Sequence, residues 1–147
     1  MKTIIANAES PSTVIRCYPV ISQLRPHLLE AEFVERIARQ RSQGYHLGYL
    51  EADSLVRAVA GYRFFDTLPW GRICYVDDLV TDSENRSQAF GRTLFEWVVA
   101  RAHEAGCEQF HLDSGVQRFD AHRFYLTRRM AISCHHFSMS LSNDRNA

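Results

Sequence analysis

Apolar and polar residues follow two periods along the chain, and these periods predict a mixed α/β protein. Two early segments, 11–24 and 31–43, space their apolar residues three or four apart, as amphipathic helices do. Three later segments, 45–51, 55–65 and 72–81, carry the alternating or apolar runs of strands. The short links between these three strands predict an antiparallel meander.

The C-terminal half alternates between the two periods. Phe90, Leu94 and Val98 lie four apart and predict a helix that ends at Gly106. A strand predicted at 108–112 follows this helix, so it should pair parallel to the strand before the helix. The remaining predicted elements are a first strand at 3–6, a helix at 120–126 capped by Asp120, and a last strand at 130–141.

A strand that passes through a polar turn into a helix start is a general anion-binding arrangement. The first turn of a helix has unpaired N–H groups and the positive end of the helix dipole. Small residues at Ala89 and Gly91 would allow a ligand to approach the backbone. The preceding strand carries Asp77 and Asp78, and strict alternation would let only one of them face a cleft.

These residues resemble a known family. The segment Arg86-x-x-Ala89-x-Gly91, after Asp78-Leu79-Val80-Thr81, is similar to the coenzyme A signature of the GNAT superfamily of N-acetyltransferases, Arg/Gln-x-x-Gly-x-Gly/Ala. Ala89 departs from the usual glycine and would cost on the order of 1 kcal/mol if that position needs positive φ. The order of predicted elements agrees with the same fold. The resemblance implies one GNAT domain over residues 1–147, an α/β (α+β) fold with a mixed central sheet of about six strands flanked by about four helices.

The resemblance also implies acetyl-coenzyme A as the co-substrate. Main-chain groups at Leu79 and Thr81 would run alongside the pantetheine arm, and the N–H of Val80 would polarise the acetyl carbonyl. The amides from Ser87 to Thr93 would hold the diphosphate. The cofactor-binding residues implied in this way are Leu79, Val80, Thr81, Arg86, Ser87, Gln88, Ala89, Phe90, Gly91, Arg92 and Thr93.

Two catalytic roles follow from the resemblance. The segment Ala121-x-x-Phe124-Tyr125 is similar to a family segment whose tyrosine protonates the departing thiolate, so Tyr125 is the expected general acid; the alternative is a core aromatic. Asp77 lies nine residues before Arg86, where polyamine acetyltransferases carry a Glu base. It could act as a base, through water, by attracting a cationic amine, or as a structural carboxylate. Arg118 stands where the family often has an Asn cofactor contact.

Composition narrows the class of protein. The 147 residues have zero formal net charge, so no overall electrostatic attraction to nucleic acid or to an acidic membrane is expected. No stretch approaches ~18 apolar residues, and the N-terminus does not resemble a secretory signal. The four scattered cysteines predict reduced, mostly buried thiols in a cytoplasmic protein, and no metal site is expected.

Together these observations predict an acetyl-coenzyme A-dependent N-acetyltransferase. The amine would belong to a small molecule and would attack directly in a ternary complex. Two alternatives stay open: a non-catalytic module that binds or senses acyl-coenzyme A, and an acetyltransferase of protein or peptide amines. A homodimer is an expectation from the resemblance alone, and the identity of the acceptor is open.

Overall fold

The computed structural model describes residues 1–142, without the side chain of Ser87. The chain forms two units, Met1–Leu112 and a second unit that begins at Asp113, and each is described by itself. The elements of the first unit are β1 (Thr3–Asn7), α1 (Pro11–Arg16), α2 (Tyr18–Leu24), α3 (Glu30–Arg41), β2 (Tyr45–Ala52), β3 (Leu55–Thr67), β4 (Gly71–Thr81), a 3₁₀ segment (Ser83–Gln88), α4 (Phe90–Glu104) and β5 (Gln109–Leu112). The second unit contains α5 (Phe119–Thr127).

The strands form one sheet in the order β1-β2-β3-β4-β5. The first three pairings are antiparallel, and β4 pairs with β5 in parallel, which confirms the predicted crossover. The β4–β5 pairing stops at Val76 and Leu112, whereas the pairing of β4 with β3 continues to Thr81. The last four residues of β4, 78–81, therefore have a strand partner on one side only, within the described part of the chain.

Each face of the sheet has its own apolar core. Val59 belongs to the core that α1, α2 and α3 cover, together with Phe33 and Val80. Its neighbour Ala60 belongs to the second core, which α4 covers with Leu94. Successive residues of a strand point to opposite faces, so this division is the one expected for a sheet with helices on both sides.

Local signals explain the early helices. The side chain of Ser10 accepts a hydrogen bond from the N–H of Thr13, and Pro11 occupies the first turn of α1. The helix predicted over 11–24 is divided at Cys17, and Pro19 lies in the first turn of α2, where a missing N–H costs nothing. The single helix predicted over 11–24 is thus two helices, with Pro19 at the start of the second.

Two details of the second unit differ from the predictions. The last strand, predicted at 130–141, does not form: residues 130–142 have no strand pairing, and Ile132, Phe137 and Met139 are 77%, 90% and 83% exposed. A period of two describes a segment that suits a strand, but a strand also needs a hydrogen-bonding neighbour. The described sheet thus has five strands rather than about six, with five α-helices rather than about four.

The N-cap of α5 also differs. The cap is Arg118 and not Asp120, which lies inside the first turn and forms an ion pair with Arg123 at 2.8 Å. A carboxylate at this place still favours the positive end of the helix dipole, so the residue suits the helix start without capping it.

Candidate functional site

A β-bulge in β4 organises the candidate site. Gly61 of β3 pairs with Asp78, and the next residue, Tyr62, pairs with Val76, so Asp77 is the extra residue of β4. Because a bulge interrupts strict alternation, neighbouring carboxylates can share one set of contacts. Both belong to one group of contacting side chains, which we call the bulge cluster: Arg25, Tyr45, Arg63, Asp77 and Asp78.

Asp77 is held by a two-point ion pair. The Nε of Arg63 donates to Oδ1 at 3.0 Å, and its Nη2 donates to Oδ2 at 2.8 Å. Burial raises the pKa of Asp77, although the bonded guanidinium of Arg63 opposes the shift. A carboxylate with a raised pKa and a fixed orientation is a better proton acceptor than a freely solvated one.

Asp78 is held from two other elements. The hydroxyl of Tyr45 on β2 donates to Oδ2 at 2.8 Å, and the Nε of Arg25, just after α2, donates to Oδ1 at 2.9 Å. Burial, together with the negative charge of Asp78, raises the pKa of Tyr45 well above its usual value, so the phenol keeps its proton. Nη2 of Arg25 also donates to the main-chain carbonyl of Asp77 at 2.9 Å.

The open edge of β4 begins at this bulge. Leu79, Val80 and Thr81 pair with β3 through Ala60, Val59 and Ala58, and none of the described strands pairs with them on the other side. In an antiparallel strand, successive residues direct their N–H and C=O groups to alternate sides. Some of the N–H and C=O groups between Leu79 and Thr81 are therefore available to hydrogen-bond an extended ligand.

The turn after β4 leads into the N-terminus of α4. Ala89 has φ 60° and ψ 22°, the left-handed conformation, and no side chain caps the helix that begins at Phe90. A Cβ at Gly91 would collide with Oγ1 of Thr81, so the glycine allows the first turn of α4 to pack closely on the end of β4. The end of the open edge and the first-turn amides therefore adjoin one another.

The side chains of this segment have different surroundings. Phe90 is buried in the second core. Arg92 contacts Glu96 at 3.2 Å, and the hydroxyl of Thr93 donates to the carbonyl of Ala89 at 3.1 Å. The side chains of Arg86 and Gln88 are exposed. The structure thus brings together in one segment the residues expected to bind the cofactor, although Phe90 packs into the protein interior.

Helix α2 is tied to the turn after β4. The side-chain amide of Gln23 donates to Oδ1 of Asp82 at 3.2 Å and accepts from the N–H of Ser83 at 2.9 Å. The hydrogen bond from Gln23 is the largest cause that lowers the pKa of Asp82. Hydrogen bonds from the N–H of Glu84 and the side chain of Asn85 add to this effect, and burial opposes it. The sequence carried no signal for this contact, because the partners are about sixty positions apart.

Sequence reasoning also missed Arg25 and Arg63. Arg25 lies just after the segment predicted as the first helix, 11–24, and Arg63 lies inside the predicted strand 55–65, and neither belongs to a matched motif. The short turn at Asp53 and Ser54, where both residues have positive φ, gives only part of the β2–β3 pairing. It sets Ala52 opposite Leu55, and a bulge between Leu50 and Glu51 then shifts the register so that Tyr45 pairs with Arg63. No comparable signal could have placed Arg25 beside Asp78.

In the second unit, α5 carries Tyr125. Burial raises the pKa of its phenol, and the charge of Arg118 opposes the shift. The ring lies edge-to-face against Phe124 with centroids 5.6 Å apart. Tyr125 is thus a half-buried phenol that remains protonated near neutral pH.

The described residues carry neither a metal-binding group nor a membrane-spanning helix. This part of the chain holds no group of three or more His, Cys, Asp or Glu side chains that could bind a metal ion. None of its helices has the length and apolar character needed to cross a membrane. The cysteines are all free; Cys17 and Cys74 are buried, Cys107 is half-buried and Cys134 is exposed.

Comparisons with known proteins give a consistent result. The family described as "Acetyltransferase (GNAT) family" matches residues 12–130. The chain is 34% identical over 109 residues to the "Uncharacterized N-acetyltransferase YhdJ" of Bacillus subtilis, covering 74% of this chain and 77% of that protein. It is 35% identical over 66 residues to the "Aminoalkylphosphonate N-acetyltransferase" of Salmonella typhimurium, covering 45% of this chain and 43% of the relative.

Solved structures share the fold. A transcriptional regulator from Bacillus halodurans superposes with a TM-score of 0.84 at 20% identity, over 95% of this chain and all of the other. Glucosamine-6-phosphate N-acetyltransferase from Arabidopsis thaliana superposes with a TM-score of 0.78 at 19% identity, over 97% of this chain and 100% of the other. At these identities the likeness concerns the arrangement of the backbone.

Proposed function

Because the chain belongs to the GNAT family of acetyltransferases, we propose that this N-acetyltransferase moves an acetyl group from acetyl-coenzyme A to a primary amine of a small molecule by direct attack. The observation that carries the proposal is that the pairing of β4 with β5 ends at Val76, directly before Asp77, while the pairing with β3 continues to Thr81. It leaves a strand edge for an extended thioester and a proton acceptor at the start of that edge.

The residues present fit this co-substrate. The arm of coenzyme A contains amides, which suit the one-sided edge from Leu79 to Thr81 in the manner of an added strand. Its diphosphate suits the first turn of α4, which has no side-chain cap at Ala89. We assign the exposed Arg86 and Arg92 to the same anion, and the remaining contacts to Ser87, Gln88, Phe90, Gly91 and Thr93 through their main chain.

Asp77 is the proposed base. The thioester supplies an activated acetyl carbonyl, whose C–S bond breaks as the C–N bond to the amine forms. Asp77 accepts the proton that the amine nitrogen loses, and its ion pair with Arg63 fixes the direction of the acceptor oxygen. The raised pKa of Asp77 reduces the mismatch with an ammonium donor.

Two further groups complete the proposal. The N–H of Val80 stabilises the negative charge that develops on the acetyl oxygen. Tyr125 gives its proton to the thiolate, an assignment that depends on the segment Ala121-x-x-Phe124-Tyr125 and on a phenol that stays protonated. Proton transfer from a phenol near 10 to a thiolate near 8.5 costs only ~2 kcal/mol at ordinary pKa values.

A small-molecule amine is the proposed acceptor. The Salmonella relative, by its name, acetylates aminoalkylphosphonates, which are small amines, and this supports the same class here. The cytoplasmic location and the homodimer stay predictions.

The experiment is a thiol-release assay with acetyl-coenzyme A and a panel of primary amines. We expect release of coenzyme A that requires an amine, with the N-acetylated amine identified by mass spectrometry. Replacing all four cysteines by alanine should preserve turnover if transfer is direct. Tight acetyl-coenzyme A binding by calorimetry, without release for any amine or peptide, would instead identify a sensing module.

A further inference from the structure

The bulge cluster is balanced in charge. Each of its two carboxylates is bonded to one guanidinium: Asp77 to Arg63 at 2.8 Å and Asp78 to Arg25 at 2.9 Å. With a neutral Tyr45 the cluster has no net charge. A site for diamines or polyamines needs unpaired negative charge for the second ammonium, and here that ammonium would meet two guanidinium groups.

Both guanidinium groups keep donors for a ligand. Arg25 uses Nε and Nη2 in its bonds to Asp78 and to the carbonyl of Asp77. Within the described residues, its Nη1 has no acceptor in hydrogen-bonding distance, and its side chain is 42% exposed, against 14% for Asp78. A guanidinium offers five N–H donors in a planar fork, which suits the oxygens of a carboxylate or phosphate.

Arg25 is better placed for a ligand than Arg63. Arg63 is committed to Asp77 through three contacts and lies over the ring of Tyr45, with its Cζ 5.4 Å from the ring centroid. Arg25 follows the last residue of α2 and reaches the bulge from outside the sheet. Its Nη2 lies 2.9 Å from the carbonyl oxygen of Asp77, so an anion bound to Arg25 would lie a short spacer away from an amine at Asp77.

We propose that the acceptor amine also carries an anionic group, a carboxylate or a phosphate-like group, that Arg25 binds while the amine lies at Asp77. This inference rests on the proposed function, since it names the substrate class of the same site. Such a substrate carries one positive and one negative charge, so the cluster and the bound substrate together would still have no net charge. Arg25 is then the residue that determines specificity.

The test compares four short amines of similar size: β-alanine, 2-aminoethyl phosphate, ethanolamine and 1,3-diaminopropane. For the unaltered protein, kcat/KM should be at least tenfold higher for the better of the two anionic amines than for ethanolamine, and lowest for the diamine. The comparison of β-alanine with 2-aminoethyl phosphate shows whether the site prefers a carboxylate or a phosphate group. A preference for ethanolamine or the diamine would overturn the inference.

Substitutions test whether Arg25 determines the preference for anionic amines. Arg25→Gln should lower kcat/KM for the anionic amines at least tenfold more than for ethanolamine, mainly through KM; Arg25→Lys should restore part of the loss. Arg16→Gln is the matched control, because Arg16 pairs with Glu51 at the same exposures, 41% and 13%, at another place on the sheet. An equal loss for all four amines with Arg25→Gln would show a structural role and contradict the proposal.

A binding measurement separates this inference from the proposed function. Millimolar 2-aminoethyl phosphate or β-alanine should raise the Tm of the protein, and Arg25→Gln should remove the shift. If no amine releases thiol but the shift depends on Arg25, the proposed function fails and the anion site stands. If thiol is released but neither shift nor preference depends on Arg25, the substrate class is wrong. If Arg25→Gln does not fold, the proposal is still tested by the order of kcat/KM among the four amines and by the effect of Arg25→Lys on that order.

Discussion

The hydroxyl of Tyr45 on β2 donates to Oδ2 of Asp78 on β4 at 2.8 Å, although β3 runs between the two strands. The bond is possible because the intervening position is Gly61, which pairs with Asp78 and leaves the space that the phenol occupies. Asp78 therefore has a neutral donor from within the sheet and a charged donor, Arg25, from the end of α2.

Gly61→Ala should destabilise the protein and reduce activity. The added Cβ would collide with the hydroxyl and ring of Tyr45, so the phenol must leave Asp78. Overpacking of this kind costs about 1–3 kcal/mol, measured by urea unfolding. Tyr45→Phe removes only the hydroxyl and is the comparison variant, expected to cost about 1–3 kcal/mol through the lost donor to Asp78. Unchanged stability of Gly61→Ala would mean that the phenol can move at no cost.

Asp77→Asn should lower kcat/KM by about 10²–10⁴ without changing acetyl-coenzyme A affinity, because an amide cannot accept the amine proton. The carboxylate must be ionised to act, so activity of the unaltered protein should fall as pH drops through its raised pKa. The loss relative to the unaltered protein should be greatest between the raised pKa of Asp77 and the pKa of the amine, where Asp77 is ionised and the amine is still protonated, and should shrink at lower pH. The control is Asp66→Asn, an exposed carboxylate near Arg72. A uniform loss across pH would indicate positioning instead.

Tyr125→Phe should reduce turnover by about ten- to a thousandfold, with little change in the affinity for acetyl-coenzyme A. The phenyl ring keeps the packing of α5 and removes only the proton donor. Tyr62→Phe is the matched control, because Tyr62 lies in the second core, donates its hydroxyl to Asn7 and should affect stability alone. Unchanged turnover in Tyr125→Phe would remove Tyr125 from the acid role.

Ala89→Gly should stabilise the protein. Alanine at φ 60° costs about 1–2 kcal/mol of folding free energy, which glycine avoids. Glycine in turn costs about 0.4–1 kcal/mol, because it increases the conformational entropy of the unfolded chain. A net gain of about 0.5–1 kcal/mol corresponds to a rise in Tm of about 1–4 °C by calorimetry. Ala105→Gly, at the other end of α4 with φ −80°, should lower Tm. A fall in both variants would mean that Ala89 is not strained.

Stability should decrease in alkaline solution. Burial raises the pKa of the Cys17 and Cys74 thiols from 9.0 to about 12, so the folded protein keeps protons that the unfolded chain loses. The stabilisation is complete below pH 9 and is lost as pH rises toward 12, by about 1.4 kcal/mol per pH unit for each thiol. Urea unfolding from pH 8 to 11 measures the slope. Cys74→Ala should make it shallower, and Cys134→Ala, at an exposed thiol, should not.

The fold was predictable wherever a segment's own pattern determines its structure. The spacing of Phe90, Leu94 and Val98 predicted α4, which is confirmed at Phe90–Glu104. A glycine inside a strand pattern, as at Gly61, indicates a bulge or a close approach, and both occur there. The strand predicted at 130–141 was wrong, because an alternating pattern describes only one strand and says nothing of the neighbouring strand with which it must pair.

The candidate site was only partly predictable. Its main-chain part follows from a local motif, and the left-handed conformation of Ala89 is the one its position in that motif suggested. The bulge cluster depends on contacts between residues 14 to 53 positions apart, such as Asp77 with Arg63 and Asp78 with Arg25. Such contacts are determined by how helices pack on a sheet, which no single segment encodes.

The bulge in β4 has a consequence for association between molecules. An unpaired strand edge is a template on which another polypeptide can add and begin to aggregate. Here the edge starts at an irregular residue, and its first positions carry the carboxylates of Asp77 and Asp78. Interrupted hydrogen-bond spacing and two nearby acids discourage the regular pairing that a foreign strand requires. The same irregularity that shapes the site thus helps to keep the edge from recruiting other chains.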